Sequence, residues 1–279
     1  MVFVDAHCHL GSRQFDSYRE EMIRRMLEKG VNKPIMICCS RHDLSESLRL
    51  REEHLAFKLA VSVHPQDLED DYSEARLQEI ERIINEYHPD MIGETGLDYY
   101  SHPHTRDQQR HFFISQLELA RKYGLPVNIH SRKASADTLD ILRAHPCKGI
   151  MHSYSGSIEM ARLYIKEGYY ISLGASVLFP NARRPREVAA QIPLDRLLIE
   201  TDAPYQSPVL NHRHEPADVI NIYEEISRIR CISLEELCAA VEHNFDNVFA
   251  KVKGSDHQIA SFMFSAMYSA MALLPSAFG

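Results

Sequence analysis

Two histidines one residue apart end the stretch FVDAHCHL, residues 3–10, where an apolar run of strand type meets an acid. Side chains two positions apart leave the same face of an extended backbone, so His7 and His9 can address one point together. The chain carries 16 histidines, and more His, Glu and Asp residues stand at the ends of other apolar runs. They are His64 in VHP, Glu94 in GETGLDYY, His130 in NIHSR, His152 in MHSYSG and Asp202 in LLIETDAPY. Each alone reads as a hydrogen-bonded structural residue or a turn cap. Brought to one place, His7, His9, His130, His152, Glu94 and Asp202 would need a partner for many desolvated polar atoms, and a metal ion is such a partner.

Donor type restricts the chemistry. Imidazole with carboxylate suits Zn, Mn, Fe, Co or Ni better than Mg, which prefers oxygen shells. Six ligands exceed what one tetrahedral ion takes. They match two divalent ions sharing a bridging carboxylate, for which Glu94, on a central strand, is the natural choice. The expected cofactor is therefore a pair of divalent ions drawn from Zn, Mn, Mg, Co or Ni. Such a pair, roughly 3.5–4 Å apart, can activate a water and clamp both oxygens of a phosphoryl displacement. Cys8 lies between the two histidines, but on a strand it points to the opposite face and is not counted as a ligand.

Elements must position these groups. Short apolar runs occur at Val2–Asp5, Pro34–Cys39, Lys58–Val63, Asp90–Glu94, Pro126–His130, Gly149–His152, Tyr169–Leu173 and Arg196–Glu200. Between them lie amphipathic segments with apolar residues every three or four positions, such as Tyr18–Lys29, Leu44–His54, Ser73–Tyr87, Thr105–Tyr123, Ala136–Ala144 and Ile158–Glu167. Nearly continuous apolar strands alternating with helices are what a parallel sheet buried on both faces requires. Eight units in about 250 residues predict a single TIM-type (β/α)8 barrel, with a doubly wound open sheet as the weaker alternative. In a barrel the C-terminal strand ends form one rim, where the six residues would converge.

Composition is that of an ordinary soluble globular chain: 279 residues, 44% hydrophobic, 25% charged. The formal charge of -8 argues against coating nucleic acid by bulk electrostatics, so any phosphate binding must be local. Six cysteines without a CxxC pair, and an N-terminus without a signal-peptide pattern, predict a reducing, cytoplasmic setting. A monomer is expected.

Together DAHCHL, GETGLDYY, LPVNIHSR, MHSYSG and LLIETDAPY resemble the TatD family of metal-dependent deoxyribonucleases, within the amidohydrolase superfamily. The resemblance covers residues 2 to about 253. It implies a TIM-type barrel, a divalent metal centre and hydrolysis of phosphodiester bonds in DNA. Matched position by position, it implies one metal held by His7, His9, Glu94 and Asp202, and a second held by Glu94, His130 and His152. Two wordings depart from the commoner family pattern: HSYSG for HCFSG, and RHEP for RNEP at Arg213–Pro216.

The expected reaction uses Asp202 as proton acceptor for a metal-activated water, with Glu94 as the bridge. Arg132 is the first choice for a phosphate contact because a guanidinium matches phosphate oxygens; the plain alternative is a surface loop arginine. His64 either donates to substrate or orients a ligand. Tyr99, Tyr100 and Tyr154 could stack on splayed bases, which suits single-stranded or frayed DNA, although at least one should simply pack its loop. Arg213 is a further candidate contact, and Arg183, Arg184 and Arg186 form a small basic cluster. Two other functions stay open: a hydrolase of a small amide, lactone or phosphotriester, and a non-catalytic nucleic-acid-binding barrel. A carboxylated lysine bridge, frequent in the first class, has no lysine at the Glu94 position.

Beyond residue 253 the chain changes character, with no charged side chain after Asp256. The apolar stretch Ile259–Phe278 has about the length of a membrane span. Four serines, Tyr268 and Pro275 interrupt it, so a tail 254–279 that packs on the barrel or stays poorly ordered is expected rather than a membrane anchor.

Overall fold

The apolar runs become strands because their Val, Ile, Leu and Met side chains are buried on both faces of one sheet. The computed structural model describes residues 1–68, 73–179, 181–209 and 213–250. Its strands are β1 (Phe3–Cys8), β2 (Val31–Cys38), β3 (Lys58–Val61), β4 (Met91–Asp98), β5 (Val127–Arg132), β6 (Gly149–Met151), β7 (Tyr170–Leu173) and β8 (Leu197–Ile199). Each pairs in parallel with the next, in sequence order. Closure comes just past β8: Asp202 N–H donates to His7 O at 2.9 Å, and His9 N–H donates to Ala203 O at 2.8 Å. The buried Asp5 carboxylate adds to the seam, accepting the Thr201 N–H at 2.9 Å and its hydroxyl at 2.6 Å. The expected barrel is present.

Helices α1 (Arg19–Glu28), α2 (Arg41–Glu53), α3 (Glu74–Tyr87), α4 (Arg106–Tyr123), α5 (Ser135–Ala144), α6 (Ile158–Lys166), α7 (Arg183–Gln191), α8 (Val219–Arg230) and α9 (Leu234–Phe249) surround the strands. Local chemistry fixes several ends. Ser40 and Asp43 form a reciprocal capping box at the start of α2, and Gly124 ends α4 at φ 66°, a conformation that disfavours other residues. Helix α8 seals the seam through Tyr223, whose buried hydroxyl bridges the N–H and C=O of Val4. Asn244 on α9 donates to the carbonyls of Leu194 and Leu197 before and within β8.

Of the strand boundaries that differ from the sequence reading, two matter most for the site. β1 runs on to Cys8, so His7 lies inside the strand. β4 runs four residues past Glu94 to Asp98. By sequence the apolar run ends at Glu94, but Gly96 pairs with His130 of β5, and a Cβ there would lie 2.0 Å from the His130 carbonyl oxygen. Glycine is what permits the close approach. The barrel unit spans Met1–Phe249. The expected boundary at residue 253 and the apolar tail 254–279 fall outside the described residues, among which no helix is long and apolar enough to cross a membrane.

Candidate metal centre

At the C-terminal rim, buried donors from β1, β4, β5, β6 and the segment after β8 converge around the Glu94 carboxylate. Its Oε1 lies 2.6 Å from His130 Nδ1, 3.0 Å from His152 Nε2 and 3.4 Å from His64 Nε2. Its Oε2 lies 3.4 Å from His7 Nε2. On the other flank, Asp202 Oδ1 is 3.4 Å from His7 Nε2 and 3.3 Å from His9 Nε2. Among the described residues, three clusters have spacing that could hold a metal: His7, Glu94 and His152; His7, His9 and Asp202; His64, Glu94 and His130.

The outer ring nitrogens decide what the inner ones present. His7 Nδ1 faces the Asn128 side-chain oxygen at 3.0 Å, and His152 Nδ1 faces Glu200 Oε1 at 2.8 Å. Each neutral ring therefore keeps its proton on Nδ1 and turns a bare Nε2 lone pair toward carboxylate oxygens. Acceptor facing acceptor is unfavourable unless a cation lies between, and the donor set of imidazole and carboxylate fits a divalent transition ion. Burial disfavours the charged form of each group, yet mutual attraction outweighs it: Glu94 is held well below the carboxylate range, and His9, His130 and His152 are raised.

His64 differs. Its Nδ1 accepts the Gln66 N–H at 3.2 Å, so the neutral ring carries its proton on Nε2, toward Glu94. That geometry orients the Glu94 carboxylate. Cys8 turns away from the site and donates to Ile35 O.

Several partners were not picked out from the sequence. Asp98, at the end of β4, accepts from the N–H groups of Tyr100 and Ser101 and from Gln66, and its Oδ2 lies 3.4 Å from His130 Nε2. Glu200 accepts from both His152 and the Ser153 N–H. Gln206 donates to Asp202 Oδ2 at 2.5 Å and to Ser153 Oγ at 3.0 Å. Arg19 is buried and donates to the carbonyls of Leu10, Gly11 and Ser12, fixing the loop after His9. Of these, Glu200 is the acid ending the run Arg196–Glu200, whereas Asp98 lies beyond the run Asp90–Glu94.

The other expected contacts divide. Arg132 ends β5, exposed, with its guanidinium 4.2 Å above the Tyr100 ring. Arg213 is exposed and lies over Tyr18. Tyr99 is covered by Arg106 at 4.5 Å and bonds through its hydroxyl to Asp137, tying its loop to α5. Tyr154 is only 6% exposed and donates to Ser157 O at 2.6 Å, a packing position that leaves little ring surface for a base. His214, in the RHEP segment, is buried between Asp218 and the Thr201 carbonyl. Arg186 donates to Val177 O and Glu225. Tyr205, unnoticed in the sequence, stands 48% exposed with its ring edge-on to His9 at 5.1 Å.

The family described as TatD related DNase matches residues 4–250. The chain belongs to the TatD family. TatD proteins similar to it include the metal-dependent hydrolase YabD of Bacillus subtilis, 35% identical over 254 residues that span 89% of this chain and 99% of that one. The metal-dependent hydrolase YcfH of Escherichia coli is 34% identical over 259 residues, 89% of this chain and 96% of its own. In three dimensions, the crystal structure of YJJV, a TatD homologue from Escherichia coli, superposes with a TM-score of 0.83 at 28% identity, covering 88% of this chain and 97% of the other. This TatD chain is thus a metal-dependent hydrolase of the amidohydrolase superfamily.

Proposed function

We propose that the protein is a deoxyribonuclease that cleaves phosphodiester bonds of DNA with two divalent ions bound at Glu94. The carrying observation is that the two oxygens of Glu94 serve different flanks, Oε2 toward His7 and Oε1 toward His130 and His152. His7, His9, Glu94 and Asp202 would hold one ion; Glu94, His130 and His152 would hold the other. When bound, such a pair supplies an activated water and neutralises charge on the phosphoryl oxygens.

The chain's own residues do the rest. Asp202, held ionised with its pKa lowered to about 2, accepts the proton of the attacking water as the new oxygen–phosphorus bond forms. Burial raises that pKa, but the His9 hydrogen bond and the nearby histidine charges more than offset it. The scissile phosphorus–oxygen bond breaks and the leaving sugar oxygen takes up a proton. Arg132 meets a phosphate at the rim. Exposed Tyr205 beside His9, and exposed Tyr100 with Arg132 over its ring, offer aromatic surface for bases already unstacked, as in single-stranded or frayed DNA.

The test is a substrate panel with metal-loaded protein: single-stranded DNA, duplex DNA, RNA, and small phosphotriesters, lactones and amides. Metal-dependent cleavage of single-stranded DNA ahead of all others is expected. Preferred turnover of a small ester or amide would overturn the assignment. DNA binding without cleavage would point to a non-catalytic barrel.

A further inference from the structure

The two flanks of Glu94 are not equivalent. On one, His7 and His9 share the site with Asp202, so an ion there meets one carboxylate of its own and a share of Glu94. On the other, Glu94 Oε1 meets only imidazoles among the described residues, His130 and His152 closest and His64 at 3.4 Å, so Glu94 is the single carboxylate there. Negative charge in contact with the second position is therefore smaller. The layer behind the imidazoles is arranged in the opposite sense. His7 leans on a neutral amide, Asn128, at 3.0 Å. His152 leans on the fully buried carboxylate of Glu200 at 2.8 Å, and the far nitrogen of His130 lies 3.4 Å from the buried carboxylate of Asp98. Glu200 Oε2 is itself buried and has no hydrogen-bond partner among the described residues, so His152 and the Ser153 N–H, both on Oε1, are the donors it meets there.

We infer that Glu200, assisted by Asp98, is a positioning residue that supplies through His152 the negative charge the second ion lacks in its direct ligands, making that ion selectively dependent on Glu200. A carboxylate behind an imidazole fixes its tautomer and raises its basicity, and removing such a partner costs metal affinity 10–100-fold. The inference rests on the two-ion reading above.

Glu200→Gln is the informative change. A glutamine oxygen can accept from both His152 Nδ1 and the Ser153 N–H, so shape and hydrogen bonds are retained and the charge goes. Wild-type, Glu200→Gln and Asn128→Ala proteins would be titrated with Mn²⁺, following bound metal by elemental analysis and the Mn²⁺ pair by electron paramagnetic resonance. Wild type is expected to bind two ions with a spin-coupled signal. Glu200→Gln should keep one ion at near wild-type affinity, weaken the other by about 10–100-fold, and show an uncoupled spectrum at low metal. Adding His152→Ala to Glu200→Gln should change metal content little further, whereas adding His9→Ala should remove the remaining ion. Asn128→Ala should weaken the other ion instead. Equal weakening of both ions by Glu200→Gln, no weakening, or loss of the same ion in Glu200→Gln and Asn128→Ala would overturn the inference. A wild type that binds a single ion would instead overturn the two-ion reading on which it stands. If Glu200→Gln fails to fold by circular dichroism, Glu200→Asp serves. The shorter acid retains the charge but draws it back from His152, so the same selective weakening is expected, and its absence is decisive.

Discussion

Asp202 is pulled from two sides: Gln206 donates to Oδ2, while Oδ1 faces His7 and His9. Asparagine would keep one oxygen for a metal and lose both charge and basicity. Asp202→Asn should therefore lower single-turnover DNA cleavage by about 100-fold or more, the size of a lost general base, with DNA affinity and fold changed far less. Near-normal cleavage would remove Asp202 from the chemistry. The bridge gives a second expectation at this scale: Glu94→Ala should lose both ions, whereas His152→Ala should chiefly weaken one, as read by metal content after dialysis. Protons and metal also compete for the same lone pairs. Because His9, His130 and His152 are raised above the ordinary 6.5, they stay protonated to higher pH than free histidine. Mn²⁺ affinity should then climb as pH rises from about 6 to 8. A flat profile would contradict the site's electrostatics.

β4 holds Glu94, and its placement depends on Gly96. At φ 144° and with the His130 backbone where a Cβ would sit, any side chain forces β4 away from β5. Gly96→Ala is expected to destabilise the fold by on the order of 3 kcal/mol and to separate Glu94 from His130, lowering metal content in whatever protein remains folded. Thermal melting together with metal analysis checks it; an unchanged melting temperature would show that the strands can part without cost. The loop after β1 depends likewise on one side chain, since Arg19 occupies three successive carbonyls of HLGS.

Closure of the whole barrel runs through Asp5, which lies where β1 meets the end of β8. Burial pushes its pKa from 3.8 up to about 7, against the hydrogen bonds from Thr201 that lower it. An acid with a raised native pKa contributes stability below 3.8 that is lost as pH rises through about 7. The raised histidines act in the same direction, above their ordinary 6.5. The metal-free protein should melt at a lower temperature near pH 8 than near pH 5.5. Asp5→Asn, which imitates the protonated acid, should narrow that gap. An equal gap in the variant would show that Asp5 does not report closure.

Much of this was legible in the amino-acid order, because the signals are local. Spacing by two joined His7 to His9, apolar runs marked eight strands, and a polar residue at or near the end of each relevant run marked the rim. Strand limits in GETGLD were not legible, since Gly96 answers to a neighbour 34 positions away, at His130. Nor was the layer behind the ligands: Asn128 and Glu200 look like any polar residue in a strand until barrel register sets them behind His7 and His152. The same holds for Tyr154 and His214, whose types suit a rim but whose burial follows from the helices and loops packed over them. Sequence alone marked candidate metal-binding groups and the fold that could gather them. Tertiary structure decided which lone pair each imidazole offers, because that depends on a hydrogen-bond partner brought by a different strand.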